Sequence, residues 1–81
     1  MVRNTLLRLP AAALARGKSR SGQYLDIKNG LLTTPIRIGL RAVAWPQSEI
    51  EILNAARISG KTDEEIRLLV KSLEAARKAA E

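Results

Sequence analysis

Residues 9–30, LPAAALARGKSRSGQYLDIKNG, decide the architecture. Pro10 stands where a helix can begin, because its missing N–H falls among first-turn donors that no intrahelical carbonyl reaches. Ala11–Ala15 are strong helix formers, and Gly17 supplies the stop. Ser19 is an N-cap residue, so a second helix is expected from Arg20 to about Asn29, closed by Gly30. Two short helices joined by a brief turn containing glycine form a helix-turn-helix. Within the second helix Gly22 costs about 1 kcal/mol relative to alanine. The row Tyr24, Ile27 and Leu31 is expected to face inward, which leaves Arg20, Ser21, Leu25 and Lys28 outside.

Downstream the period changes. Thr34–Ile38 and Arg41–Trp45 flank Gly39-Leu40, and glycine at the first central position suits a two-residue type II′ hairpin turn. That register pairs Ile38 with Arg41, Arg37 with Ala42 and Ile36 with Val43. Ile36, Val43 and Trp45 then share the core face, Arg37 points the other way, and Arg41 sits beside the tip. A hairpin that follows a helix-turn-helix is a wing. The chain has one Trp and one Tyr and no Phe, too few for a platform that stacks single-stranded bases. Trp45 and Tyr24 are therefore assigned to the core, the Tyr24 hydroxyl reaching outward.

Ser48-Glu49-Ile50-Glu51 has capping-box spacing and predicts a third helix from about Glu49 to Ile58, stopped by Ser59-Gly60. Thr62-Asp63-Glu64-Glu65 repeats the pattern and starts a fourth helix to about Ala79. Ile66, Leu69, Val70, Leu73 and Ala76 form an apolar stripe along it. Acids occupy its first turn and Arg77 and Lys78 its last, matching the helix dipole. Capping and first-turn positions account for Glu49, Glu51, Asp63, Glu64 and Glu65, so they are read as structural and not as an acid–base or metal cluster. The expected fold is mainly α with a small β-hairpin: a winged helix-turn-helix over residues 1–60 and a C-terminal helix over 61–81. That last helix either packs on the domain or pairs with a second copy.

Composition narrows the function. At 81 residues and 46% hydrophobic, the chain makes one domain with a small core and no deep substrate cavity. It has no Cys and no His, so disulfides, thiolate chemistry and the commonest metal ligand and general base are missing. No catalytic residue, metal or cofactor is expected, and the chain is not read as an enzyme. The net charge is +6, unevenly spread. Residues 1–44 carry Arg3, Arg8, Arg16, Lys18, Arg20, Lys28, Arg37 and Arg41 against the single acid Asp26, whereas residues 45–81 are slightly acidic. A basic block of that kind predicts a polyanion-facing surface. Arg3 and Arg8 interrupt any N-terminal apolar run, and the longest such run, Ala11–Ala15, is far short of a membrane span of about 20 residues. A cytoplasmic, nucleoid-associated location with no membrane partner is the expectation.

The run Arg41-Ala42-Val43-Ala44-Trp45-Pro46-Gln47-Ser48-Glu49-Ile50 resembles the R-A-V-A-W-P-x-S-E-I signature of the AlpA-type phage regulatory proteins. Leu6-Leu7-Arg8-Leu9-Pro10, Gly17-x-Ser19-Arg20-Ser21 and Gly30 match landmarks of the same family at like spacing, so the resemblance covers roughly residues 5–58. Lys18, Gly22, Gln23 and Asp26 depart from the residue types usual there. The resemblance implies a MerR/excisionase-like winged helix-turn-helix that binds DNA and regulates prophage or mobile-element genes.

The contacts expected on double-stranded DNA are of three kinds. Arg20, Ser21 and Gln23, on the N-terminal part of the second helix, reach base edges in the major groove, each bidentate contact worth about 1–3 kcal/mol of discrimination. Arg16, Lys18 and Lys28 neutralise phosphates, as does the Ser19 backbone at the helix N-terminus. Arg37 and Arg41 on the wing follow the backbone or enter the adjacent minor groove. One small module contacts few base pairs, so a homodimer through the fourth helix is a possible remedy. Two rival readings stand beside this one: a recombination directionality factor (excisionase) or adaptor acting mainly through a protein partner, and an RNA-binding protein. An integrase or RNA polymerase is the protein partner considered.

Overall fold

The computed structural model describes residues 5–79; Arg3 and Glu81 lie outside them. The elements run β1 (Leu6–Arg8), α1 (Leu9–Arg16), α2 (Arg20–Lys28), β2 (Ile36–Arg37), β3 (Val43–Pro46), α3 (Gln47–Ile58) and α4 (Asp63–Ala79). The helix-turn-helix forms where its punctuation places it. Gly17 adopts a left-handed conformation at φ +69°, and there its N–H and that of Lys18 close onto the carbonyls of Leu14 and Ala13. Ser19 caps α2, its hydroxyl accepting from the Gly22 N–H at 3.1 Å.

The sheet differs from the single hairpin expected. Strand β3 is central and antiparallel to both neighbours, in the order β1-β3-β2. Leu6, Leu7 and Arg8 pair with Pro46, Trp45 and Ala44, and the ladder continues with the Gln47 N–H donating to the Thr5 carbonyl at 2.8 Å. On the other edge Ile36 pairs with Ala44 and Arg37 with Val43, and the Ile38 N–H donates to the Ala42 carbonyl at 2.9 Å. The wing is thus shifted by one residue from the expected register, and its loop is Gly39-Leu40-Arg41. Gly39 is not among the glycines of positive φ, which a type II′ turn would require. A one-residue slip exchanges faces, so Ile36 shares Ala44's side of the sheet while Arg37 takes the Val43–Trp45 side at the open edge.

Trp45, Leu32, Ile50 and Ile66 are fully buried and form the core with Ala12, Leu31, Leu53, Ala56 and Val70. The Trp45 indole N–H donates to the Thr33 carbonyl at 2.8 Å, which ties the root of the wing to the loop after α2. The α3 start also departs from expectation. Pro46 is its N-cap and no side chain caps it. Because the helix begins two residues early, Ser48 lies inside the first turn and the Ser48–Glu51 box does not form; Gln47 instead donates to Glu51 at 3.0 Å. The second box does form: the Thr62 N–H reaches Glu65 and the Glu65 N–H reaches the Thr62 hydroxyl.

Helix α4 packs on its own domain. Ile66 and Val70 are buried in the common core, and Leu69 and Leu73 rest against it. Polar clamps add to this: Arg77 grips Glu49 through two hydrogen bonds, Glu74 accepts from the Thr34 N–H at 2.7 Å, and Arg67 donates to the Asn29 carbonyl at 2.9 Å. The stripe offered for pairing with a second copy is therefore covered intramolecularly, apart from the exposed Ala76. Among the described residues no helix is long and apolar enough to cross a membrane.

Candidate nucleic-acid interface

The N-terminal end of α2, the end of β1 and the tip of the wing converge. Arg20, Arg41, Arg8 and Tyr24 line one open cleft of about 270 Å³ together with Leu9, Pro10 and Val43. Strand β1 brings Arg8 here by pairing it with Ala44 at the centre of the sheet. Arg20 arrives because the Ser19 cap begins α2 at that residue, and Arg41 because the three-residue loop leaves it outside the strand. Arg8, Arg20 and Arg41 are exposed, and none makes an ion pair among the described residues. Like charges brought together without counterions repel one another in the free protein, and an anion placed between them relieves that repulsion.

The remaining sequence-predicted residues divide into two groups. Ser21 and Lys28 are exposed on α2 and Arg37 on β2; Lys28 stands eight residues beyond Arg20, about 12 Å along the helix. Ser19 is exposed and engaged in its capping bond. Arg16, Gln23 and Lys18 are turned elsewhere. The Arg16 side chain is only 5% exposed and bonds Asp26 at 2.8 Å and the Gln23 amide oxygen. Gln23 is wholly buried, so the expectation that it reads a base edge is corrected: it points into the molecule, as does Asp26. The reason is electrostatic. Asp26 is the one acid of the N-terminal half, and the guanidinium at the end of α1 draws it and Gln23 inward together. Tyr24 accordingly turns out, 44% exposed, and not into the core as expected. Lys18 stays half exposed with its ammonium 3.5 Å from Asp26. Arg16 and Lys18 border a different and larger groove, with Leu14, Asn54 and Ile58.

Sequence reasoning thus missed Arg8 and Tyr24 as members of the cleft. A three-residue strand carries too little alternation to be seen, although the single acid Asp26, ten residues from Arg16, was a signal that polar groups would occupy the inner face of α2.

A helix-turn-helix followed by an antiparallel hairpin, on a mainly α scaffold, defines a winged-helix-like protein. Residues 5–56 match the family model described as prophage CP4-57 regulatory protein (AlpA). The match spans most of the chain and contains α1, α2 and the wing, and the chain belongs to this family of prophage regulatory proteins. No curated protein and no solved structure matches it significantly.

Proposed function

We propose that the protein is a sequence-specific, double-stranded-DNA-binding transcriptional regulator of prophage or mobile-element genes, and not an enzyme. The start of α2 enters the major groove, where Arg20 and Ser21 face base edges. Arg8, the Tyr24 hydroxyl, Lys28 and the Ser19 end of the helix hold phosphates. Arg41 and Arg37 carry the wing along the backbone into the adjacent minor groove. Arg16 and Gln23 act only by holding α2 against α1, and Lys18 contributes at most a peripheral charge.

The observation that carries this reading is the cleft shared by Arg20 and Arg41. Cations scattered over the surface would serve solubility alone, whereas a helix N-terminus and a wing tip facing one cleft match the two places at which a winged domain meets a duplex. Membership of a prophage regulatory family supports the same assignment. Competition electrophoresis of duplex DNA against structured RNA, at several salt concentrations, tests it. The expected result is a steep fall in affinity with salt together with preference among duplex sequences. A flat salt response, or equal affinity for RNA, overturns it.

A second reading, an adaptor acting through an integrase or RNA polymerase, is favoured by one observation. Leu14 and Ile58 are 83% and 87% exposed and border the same groove between α1 and α3, an apolar pair suited to a protein partner. Substituting both by Ser leaves DNA affinity unchanged and removes partner-dependent effects on this reading. A homodimer through the α4 stripe forms no part of either proposal.

A further inference from the structure

The tip of the wing carries a feature that phosphate and base-edge contacts do not use. Leu40 is 88% exposed, and it sits in the middle of the loop Gly39-Leu40-Arg41. Ile38, at the foot of that loop, is 44% exposed. The loop is short and firmly based: the Ile38 N–H bonds the Ala42 carbonyl at 2.9 Å, the strands pair below it, and Trp45 anchors the central strand in the core. No acid occurs between Thr34 and Pro46, and arginines stand on both sides of the tip at positions 37 and 41. Arg41 also faces the basic cleft. An exposed leucine on a braced loop between two cations is left almost wholly uncovered by the described residues of its own domain. A surface that is strongly anionic on the outside and apolar between its stacked layers fits both halves of this arrangement.

Resting on the DNA-binding reading above, we infer that Leu40 is an apolar wedge that enters the minor groove beside the site read by α2 and unstacks one base step, bending the duplex. Arg37 and Arg41 hold the flanking phosphates, where a narrow groove concentrates negative potential. Side chains of this type partially part a base step and kink DNA by about 20–90°. The step entered is a pyrimidine–purine step, the class most easily unstacked, so sequence preference arises at a position no polar side chain touches.

The probe is a duplex that the full-length protein itself selects from a random-sequence pool, end-labelled for energy transfer and carrying 2-aminopurine at successive steps in the wing-proximal segment. Wild-type protein bends it by at least about 20° and raises 2-aminopurine fluorescence at one step. Leu40→Ser melts at the wild-type temperature or above, since the side chain supports no core. It binds within about tenfold of wild type and loses both the bend and the fluorescence rise, and Leu40→Met restores both. A straight wild-type complex, or a Leu40→Ser complex bent like wild type, overturns the wedge while leaving the DNA-binding reading intact. Failure of the wild-type protein to select or bind any duplex overturns both.

Discussion

Arg16 and Asp26 meet at 2.8 Å across the helix-turn-helix, their side chains 5% and 8% exposed. The same guanidinium donates to the amide oxygen of the buried Gln23, whose amide nitrogen has no hydrogen-bond partner among the described residues. Arg16→Ala therefore strands a buried carboxylate with, among the described residues, only the Lys18 ammonium paired to it at 3.5 Å. Breaking a buried pair from one side costs about 3 kcal/mol or more, and urea denaturation should register a loss of that size. Because Arg16 lies off the cleft, variants that still fold, such as Arg16→Lys, keep the wild-type dependence of DNA affinity on salt.

Arg8, Arg20 and Arg41 should behave in the opposite way. Each is exposed and outside every ion pair of the described residues, so Ala substitutions change urea stability little. Each phosphate contact removed lowers the slope of log affinity against log salt by about 1. Arg20→Ala additionally relaxes base preference at one position, by about 1–3 kcal/mol if its contact is bidentate. Lys71→Ala, on the exposed side of α4, serves as the control and leaves slope and preference unchanged. Equal slopes for all four variants would remove the cleft from the interface.

The two kinds of arginine also show what the amino-acid sequence revealed and what it did not. Helix ends were legible because they are local chemistry: Gly17 and Gly30 close helices in left-handed conformations, and Thr62 with Glu65 makes a capping box. The wing was legible as a hairpin, but its register was not. Strand β3 is held from both sides, and β1 is too short to announce itself, so the two-residue turn suggested by Gly39 lost to a pairing that begins at Leu6. The inner face of α2 was misread for a different reason. Patterning by hydrophobicity puts Tyr24 inside, whereas the structure puts in Gln23 and Asp26, their oxygens held by Arg16 at the end of another helix. A polar inner face is invisible until its partner is placed.

Glu49 is buried and Arg77 holds it with bonds of 2.8 and 2.6 Å, joining the last turn of α4 to the first turn of α3. Arg77→Ala should lower stability by about 2–3 kcal/mol, the lower figure reflecting the partial exposure of Arg77. Glu49→Gln paired with Arg77→Gln should cost less than the two single changes added, because each single change leaves the other group unpaired. Chemical denaturation of the four proteins measures the coupling. Additive losses would mean that the pair does not hold α4 in solution.

The last prediction concerns acid. The Thr62 N–H donates to Glu65 at 3.0 Å and the Thr62 hydroxyl at 3.1 Å. These bonds, the backbone one foremost, hold the Glu65 carboxyl below its ordinary pKa against the opposing effect of desolvation, the Lys61 charge contributing least. A carboxyl whose pKa is lowered by folding stabilises the fold above the unfolded-state value and ceases to do so as pH falls through the folded-state value. Stability should accordingly decline on acidification through the carboxylate range, and Glu65→Gln should flatten part of that decline while lowering stability at neutral pH. Carboxyl-carbon NMR titration reads the cause directly. Glu65 should titrate below the ordinary glutamate value in wild type, and Thr62→Ala should move its midpoint up toward that value. A wild-type Glu65 that already titrates at the ordinary glutamate value would mean that the capping box is not formed in solution, and the acid dependence would then have to arise elsewhere.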